Sequence, residues 1–284
     1  MIPAAFEYFA PTTVDEALGI LREHSDAKVL AGGQSLMPAL RLRLAAPESI
    51  VDIGKIDDLR GVRDDGDALV IGAMTPHSTV QTDPLVTEHA RLISLATATV
   101  GDPQIRHRGT FGGSLAHADP AADLPVVAMA LDASFVIAGA DGRRTVPAAD
   151  FFQGVFSTAL GEDELLVEVR VPKYTGWGAH YEKFSRVAQG WSIVSVAAAL
   201  RVDGGSIAEA RVALGNMGPA PVRATAVEEA LVGQSATADA VREAAAHAAD
   251  GTSPGTDLNG DADYRRHLAT VLTRRAVLAA AGTA

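Results

Sequence analysis

The chain of 284 residues contains no cysteine. This excludes a disulfide framework, a thiol nucleophile, a cysteine-ligated zinc site and a thiolate-held iron–sulfur cluster within the chain. Redox chemistry in it would need a bound organic cofactor. Basic residues are also scarce, with 24 Lys+Arg against 35 Asp+Glu and a net charge of −11. That balance argues against a general nucleic-acid binder, which needs a basic surface. No uniformly apolar run reaches the roughly 18 residues of a membrane span. The opening Met1–Glu7 lacks the basic and apolar regions of a secretory signal. A soluble, cytoplasmic protein is the expectation. What is present is an ordinary folded composition, 48% hydrophobic and 21% charged, long enough for two or three domains or subdomains.

The first fifty residues alternate helix and strand signals. Thr12 and Thr13 offer a helix cap, followed by Val14, Ala17, Leu18 and Leu21 on one face. Val29-Leu30-Ala31 reads as a buried strand broken at Gly32-Gly33, then Leu36, Met37, Leu40 and Leu44 recur at helical spacing, and Ile50–Ile53 reads as a strand. This strand–turn–helix–strand unit predicts a small parallel sheet. Further on, the pattern predicts hairpins around 63–67 and 141–142, one helix from Leu85 to Val100, a polar glycine-bearing stretch from Asp102 to Asp123, and a helix at Val126–Leu131. A strand at Leu165–Val171 stops at Pro172. Three strands (179–186, 192–202, 207–214) and three helices (224–231, 240–249, 264–281) then suggest a separate α+β domain. The expected division is 1–176 and 177–284, with subdomains of about 1–56 and 57–176.

Two loops carry the chemistry. Ala31-Gly32-Gly33-Gln34-Ser35-Leu36 follows a strand and opens a helix. Paired glycines let a backbone approach a ligand closely, and free N–H groups at a helix start attract anions, so a pyrophosphate is its natural guest. The alternative is a tight turn without a ligand. Gly109-Thr110-Phe111-Gly112-Gly113-Ser114-Leu115, followed by Asp119-Pro120-Ala121-Ala122-Asp123, repeats the pattern. Asp123 would either cap a helix or accept hydrogen bonds from a ribose. Together the loops suit a dinucleotide held from both sides. Arg106 and Arg108 would neutralise a phosphate or form a solvated basic turn. Tyr181-Glu182-Lys183-Phe184 lies on a strand, where a fixed lysine near a flavin would stabilise negative charge, and Trp191 would pack on a ring face. Other motifs fail on spacing: there is no GxGxxG or P-loop, position 37 is Met where a nucleophile elbow needs Gly, and the eight histidines are scattered.

Ala31-Gly32-Gly33-Gln34-Ser35-Leu36, Thr110-Phe111-Gly112-Gly113-Ser114 and Pro120-x-x-Asp123 resemble the two FAD-binding signatures of molybdenum hydroxylase flavoproteins. Asp102–Thr110 and Gly260-Asp261-Ala262-Asp263-Tyr264 resemble the medium, FAD-binding subunit of the aerobic carbon monoxide dehydrogenase type. The resemblance covers nearly the whole chain. It implies an α+β fold: a vanillyl-alcohol-oxidase (PCMH-type) FAD-binding domain in two subdomains, then a three-stranded antiparallel sheet with helices. It implies non-covalent FAD, with Val29, Leu30, Ala31, Gly32, Gly33, Gln34, Ser35 and Leu36 wrapping the pyrophosphate. Thr110, Gly112, Gly113 and Ser114 would close the second side, and Asp123 would bind a polar part of the cofactor. Val100 would pack on the adenine, where relatives often carry an aromatic. Leu166 would contact the isoalloxazine region, Lys183 would approach the flavin and Trp191 would cover its face. The implied partners are a small subunit with two 2Fe-2S clusters and a large molybdenum-cofactor subunit, in a dimer of heterotrimers. Electrons would pass from the clusters to FAD and on to an acceptor such as a quinone, placing the complex near the inner membrane face. No catalytic or metal-ligating residue is assigned to this chain. A xanthine, aldehyde or N-heterocycle dehydrogenase subunit, or a stand-alone flavin oxidase, are the alternatives.

Overall fold

The computed structural model describes residues 2–282. β1 (Glu7–Phe9), α1 (Val14–Glu23), β2 (Lys28–Leu30), α2 (Leu36–Leu42) and β3 (Ser49–Asp52) build a three-stranded parallel sheet in the order β1-β3-β2. α1 starts where Thr13 Oγ1 accepts the Glu16 N–H, while the Glu16 carboxylate accepts the Thr12 N–H at 2.8 Å. This reciprocal cap fixes the helix entry. Its buried residues Ala17, Leu18 and Leu21 join Val51, Ile53 and Ile56 in one core. The predicted strand–turn–helix–strand unit is therefore present.

An antiparallel five-stranded sheet follows. It uses β4 (Val62–Asp65), β5 (Ala68–Gly72), β6 (Ser134–Gly139), β7 (Gly142–Pro147) and, after the short ribbon β8 (Phe152–Gly154) and β9 (Ser157–Thr158), β10 (Leu165–Pro172). The order is β4-β5-β10-β6-β7. Both predicted hairpins are found in it. Between β5 and β6 lie α3 (His77–Thr82), α4 (Pro84–His89), α5 (Arg91–Ala98), α6 (Pro103–Arg108), α7 (Phe111–His117) and α8 (Asp123–Ala130), and α9 (Ala148–Phe151) follows β7. Two expectations change here. The single helix over 85–100 is two, α4 and α5, because Ala90 leaves the helical region at φ −143°. The stretch from Asp102 to Asp123 is not a long loop but holds α6 and α7. Each has its own cap: Asp102 accepts the Ile105 N–H at 2.9 Å, and Thr110 Oγ1 accepts the Gly113 N–H at 3.2 Å. Pro103 suits the first helical position, where no N–H is needed. The glycines and charges obscured both helices.

The last part holds β11 (Gly178–Phe184), β12 (Val194–Asp203), β13 (Ser206–Gly215) and β14 (Val222–Arg223), then α10 (Thr225–Leu231), α11 (Ala238–Ala245) and α12 (Ala262–Ala280). The sheet is four-stranded, not three-stranded, because the two-residue β14 pairs with β13. Side chains alternate across a strand. On β12, Val194, Val196, Ala198 and Leu200 enter a core with Leu272, Ala276 and Val277 of α12. Ala197 and Ala199 face the other way, into the core that contains α8. All eight residues of α8 are buried, as expected of a helix apolar on every side. It lies against β12 and β13 on one side and α5 on another. Asp132, just past its C-terminal end, accepts from Arg211 at 3.0 Å and Arg223 at 2.7 Å. Asp261 caps α12 at the Tyr264 N–H, which explains the Gly260–Tyr264 motif locally. Among the described residues, no helix is long and apolar enough to cross a membrane.

Candidate functional site

The first glycine loop connects β2 to α2. Gly33 has φ +75°, a conformation that disfavours any residue with a Cβ. Among the described residues, the backbone N–H groups of Gly32, Gly33, Gln34 and Ser35 meet no acceptor. Gly32, Gly33 and Gln34 line a cleft of about 930 Å³. Arg41, Lys55, Arg60 and Arg108 line it too, with Asp52 as the one acid. Arg60 is anchored through its guanidinium to the Gly54 carbonyl at 2.8 Å. In a chain of net charge −11, this concentration of cations beside unpaired N–H donors makes a local anion site. The two arginines considered together in the sequence separate here. Arg108 reaches the cleft, whereas Arg106 turns inward and donates to the Val100 carbonyl at 3.0 Å.

The second loop has the same residue pattern and a different bonding state. The Phe111 N–H donates to Thr75 O at 2.9 Å and the Gly112 N–H to Ala73 O at 2.8 Å. Gly113 N–H is capped by Thr110 Oγ1, and Ser114 N–H donates to Thr110 O at 3.1 Å. Its glycines serve close approach inside the chain. A Cβ on Gly112 would stand 2.5 Å from the Ala73 Cβ, and one on Gly113 would stand 3.3 Å from the Ala31 Cβ. The two loops are pressed together at Gly32, where a Cβ would lie 2.3 Å from Arg108 O. Beneath them His77 is buried, with its ring Nδ1 lacking a partner among the described residues and its backbone N–H donating to Gly109 O at 2.9 Å. Burial, reinforced by Arg106, lowers the His77 pKa to about 4.

Leu30, Ala31, Gly32, Gly33, Gln34 and Thr110 thus meet in one cleft. Val29 precedes it on β2, and Ser35 and Leu36 begin α2 behind it. The other predicted residues lie elsewhere. Val100 is partly buried against the central core, and Leu166 is buried in it on β10, beside a register shift. Trp191 is 58% exposed. Asp123 does not cap α8. Its carboxylate accepts from Tyr181 Oη at 2.7 Å and from Lys183 Nζ at 2.8 Å, and Lys183 also donates to Thr99 O at 3.2 Å. Burial pushes the Asp123 carboxyl above its ordinary range, against the opposing pull of Lys183, and raises Tyr181 well above the usual phenol. Sequence reasoning gave no role to Arg41, Lys55, Arg60, His77 or Tyr181. Only Tyr181 carried a signal: it stands two residues from Lys183, so both point to one face of β11. Among the described residues, no group of three or more His, Cys, Asp or Glu could hold a metal ion.

Residues 4–174 match the family described as the FAD-binding domain in molybdopterin dehydrogenase, and residues 179–280 match the carbon monoxide dehydrogenase flavoprotein C-terminal domain. The chain belongs to the FAD-binding medium-subunit family of molybdenum hydroxylases. Like its family it is a flavoprotein subunit of an oxidoreductase. It is 43% identical to the carbon monoxide dehydrogenase medium chain of Hydrogenophaga pseudoflava, over 99% of this chain and 98% of that one. It is 36% identical to the glyceraldehyde dehydrogenase medium chain of Sulfolobus acidocaldarius, over 97% and 98%. A solved structure of the Hydrogenophaga carbon monoxide dehydrogenase, in a form lacking the Mo-pyranopterin moiety, superposes with a TM-score of 0.97 at 44% identity, covering 100% of this chain and 99% of that chain. The medium-subunit fold is the frame on which the cleft sits.

Proposed function

We propose that this chain is the FAD-binding electron-transfer subunit of a carbon monoxide dehydrogenase-type complex. It would connect the iron–sulfur clusters of a small partner subunit to an outer acceptor such as a quinone, while a large partner subunit oxidises carbon monoxide at molybdenum. The observation that carries the cofactor's place is the run of unpaired N–H groups at Gly32–Ser35 in a cation-lined cleft. Those donors, with Arg41, Lys55 and Arg108, fit a pyrophosphate. FAD bound there supplies reversible acceptance of electrons.

Each residue then has a definite task. Gly33 gives the left-handed turn that aims the donors. Gly32 and Gly113 let the loops close on one another, Gly112 lets the second loop close on Ala73, and Thr110 and Ser114 supply the second wall. Val100 offers apolar surface, and Leu166, buried on β10, would back the isoalloxazine region from within the core. Lys183, held by Asp123 and Thr99 O, keeps a positive charge at fixed position near the ring system, and Trp191 shields its face. The chain divides in this reading at 176/177, with subdomains 1–56 and 57–176 enclosing the cofactor. The lack of cysteine fits non-covalent attachment and leaves the clusters to the partner.

Acid precipitation of the purified complex should release into the supernatant a non-covalent flavin with its two-band visible spectrum. A properly assembled complex without that spectrum would sink the reading. The glyceraldehyde relative supports a second reading of the substrate, an aldehyde. Dye reduction by the complex with carbon monoxide, compared with glyceraldehyde, separates the two.

A further inference from the structure

The parallel sheet meets the cleft at the carboxyl ends of two adjacent strands. Leu30, the last residue of β2, and Asp52, the last of β3, are register partners, and both line the cleft. Open parallel sheets bind ligands in this crevice. At about 930 Å³ the cleft is near the upper end of the roughly 300–1,000 Å³ that holds a whole cofactor-sized molecule. A pyrophosphate alone leaves most of it free.

Asp52 is the exception among the charges there. A carboxylate beside unpaired N–H donors and four cations opposes the binding of a phosphate. Its local bonds do not call for its charge. Oδ1 accepts the Gly54 N–H at 2.8 Å and caps the 3-10 turn Ile53–Lys55, a task that Asn or Ser performs as well. Oδ2 accepts the Tyr8 hydroxyl at 2.6 Å, a bond that raises the Tyr8 pKa and keeps that residue a donor. Nor is the charge spent on a neighbouring cation. Among the described residues Asp52 forms no salt bridge, and the side chains of Arg41, Lys55 and Arg108 make no hydrogen bond or ion pair. A carboxylate offers about four acceptor positions. Tyr8 and Gly54 take one on each oxygen, so the half-buried Asp52 keeps acceptor capacity for a ligand.

We infer that Asp52 is the hydroxyl-recognising residue of the cleft: it accepts hydrogen bonds from a sugar or polyol attached to the bound pyrophosphate, and so makes an anion site selective for a nucleotide. The inference rests on the flavin reading above, in which that group is the ribose or the ribityl chain of FAD. The glycine-loop donors and the cations hold the phosphates, and Asp52 selects what the phosphates are attached to.

The full chain, stripped of flavin, is titrated by calorimetry with inorganic pyrophosphate, ADP, 2′,3′-dideoxy-ADP, FMN and FAD. Asp52→Asn keeps an oxygen for the Gly54 N–H and an amide that can donate to Tyr8 Oη, so the turn survives while the charged acceptor is lost. FAD should bind this variant at least about tenfold more weakly, whereas pyrophosphate should bind about two- to threefold more tightly, because a repelling charge has gone. A residue that only capped the turn would weaken both alike. Recognition of the ribose predicts that wild type favours ADP over its dideoxy analogue by about tenfold and that Asp52→Asn does not. Recognition of the ribityl chain predicts weaker FMN binding in Asp52→Asn with ADP not weakened. Unchanged FAD affinity in Asp52→Asn, equal weakening of FAD and pyrophosphate, or a loss on FAD that neither ADP nor FMN shares overturns the inference alone. A wild-type chain that binds no FAD overturns the flavin reading as well.

Discussion

The loops at 31–36 and 109–114 share paired glycines, a hydroxyl residue and a following helix, yet their backbones do different work. In the first, four successive N–H groups meet no acceptor among the described residues and border a cation-lined cleft. In the second, the N–H groups of residues 111–114 are all bonded within the chain. Gly33 is needed for a left-handed turn, whereas Gly112 is needed because Ala73 leaves no room for a Cβ. A glycine pattern reports that some backbone comes close. Whether the neighbour is a ligand or the chain itself depends on where the donors go.

This contrast predicts separable effects. The largest is at the packed loop: Gly112→Ala should destabilise the chain by about 3 kcal/mol, since backbone as well as side chain must move. Urea unfolding measures it, and a loss under about 1 kcal/mol would mean that the Ala73 segment yields to the added methyl.

Acid should act on the same loop. The His77 pKa falls from 6.5 to about 4 on folding, so the unfolded chain takes up the proton more readily. Its contribution is complete above pH 6.5 and is lost as pH drops through about 4, a range of about 3 kcal/mol. His77→Leu should flatten the stability curve over that interval relative to wild type. Curves of equal slope would show that the imidazole is solvated.

At the open loop the effect moves from folding to binding. Gly33→Val would meet only the Leu30 and Met37 side chains, each 3.2 Å from the new Cβ, but at φ +75°. The strain costs about 1–2 kcal/mol of stability, while FAD content, read from the ratio of visible to ultraviolet absorbance, should collapse. Full flavin occupancy would remove this loop from the binding site. The smallest effect is Thr110→Val, which deletes the cap on Gly113 and should cost about 1 kcal/mol with flavin content little changed. Flavin loss beyond that stability change would give the hydroxyl a direct part in binding.

Much of this was legible in the residues. The parallel sheet follows from the spacing of Val14, Ala17, Leu18 and Leu21 and the short apolar runs at 29–31 and 50–53. The glycine loops were visible as pattern, but not the direction of their donors, because hydrogen-bond partners such as Ala73 and Thr75 are set by tertiary folding. α6 and α7 were hidden because Gly109, Gly112 and Gly113 depress helical propensity that Asp102 and Thr110 restore by capping. The Ser192–Ala121 bond joins residues 71 apart in sequence, beyond any local pattern. Asp123 showed the same limit. Its two candidate roles were cap and ribose acceptor, and the folded chain gives its carboxylate to Tyr181 and Lys183.

Helix α8 has a consequence for recombination. It is contributed by the segment that matches the FAD-binding family, yet one side of it packs on the other segment, which also holds it at both ends, at Asp123 and at Asp132. A chimera spliced between the two family matches would therefore inherit a foreign bed for this helix. It should assemble only if the donor carries small residues at the positions of Ala197, Ala199 and Ala213, together with cations at those of Lys183, Arg211 and Arg223. The unit that can be exchanged as a whole is the sheet plus the helix it grips, and that unit is discontinuous in the gene.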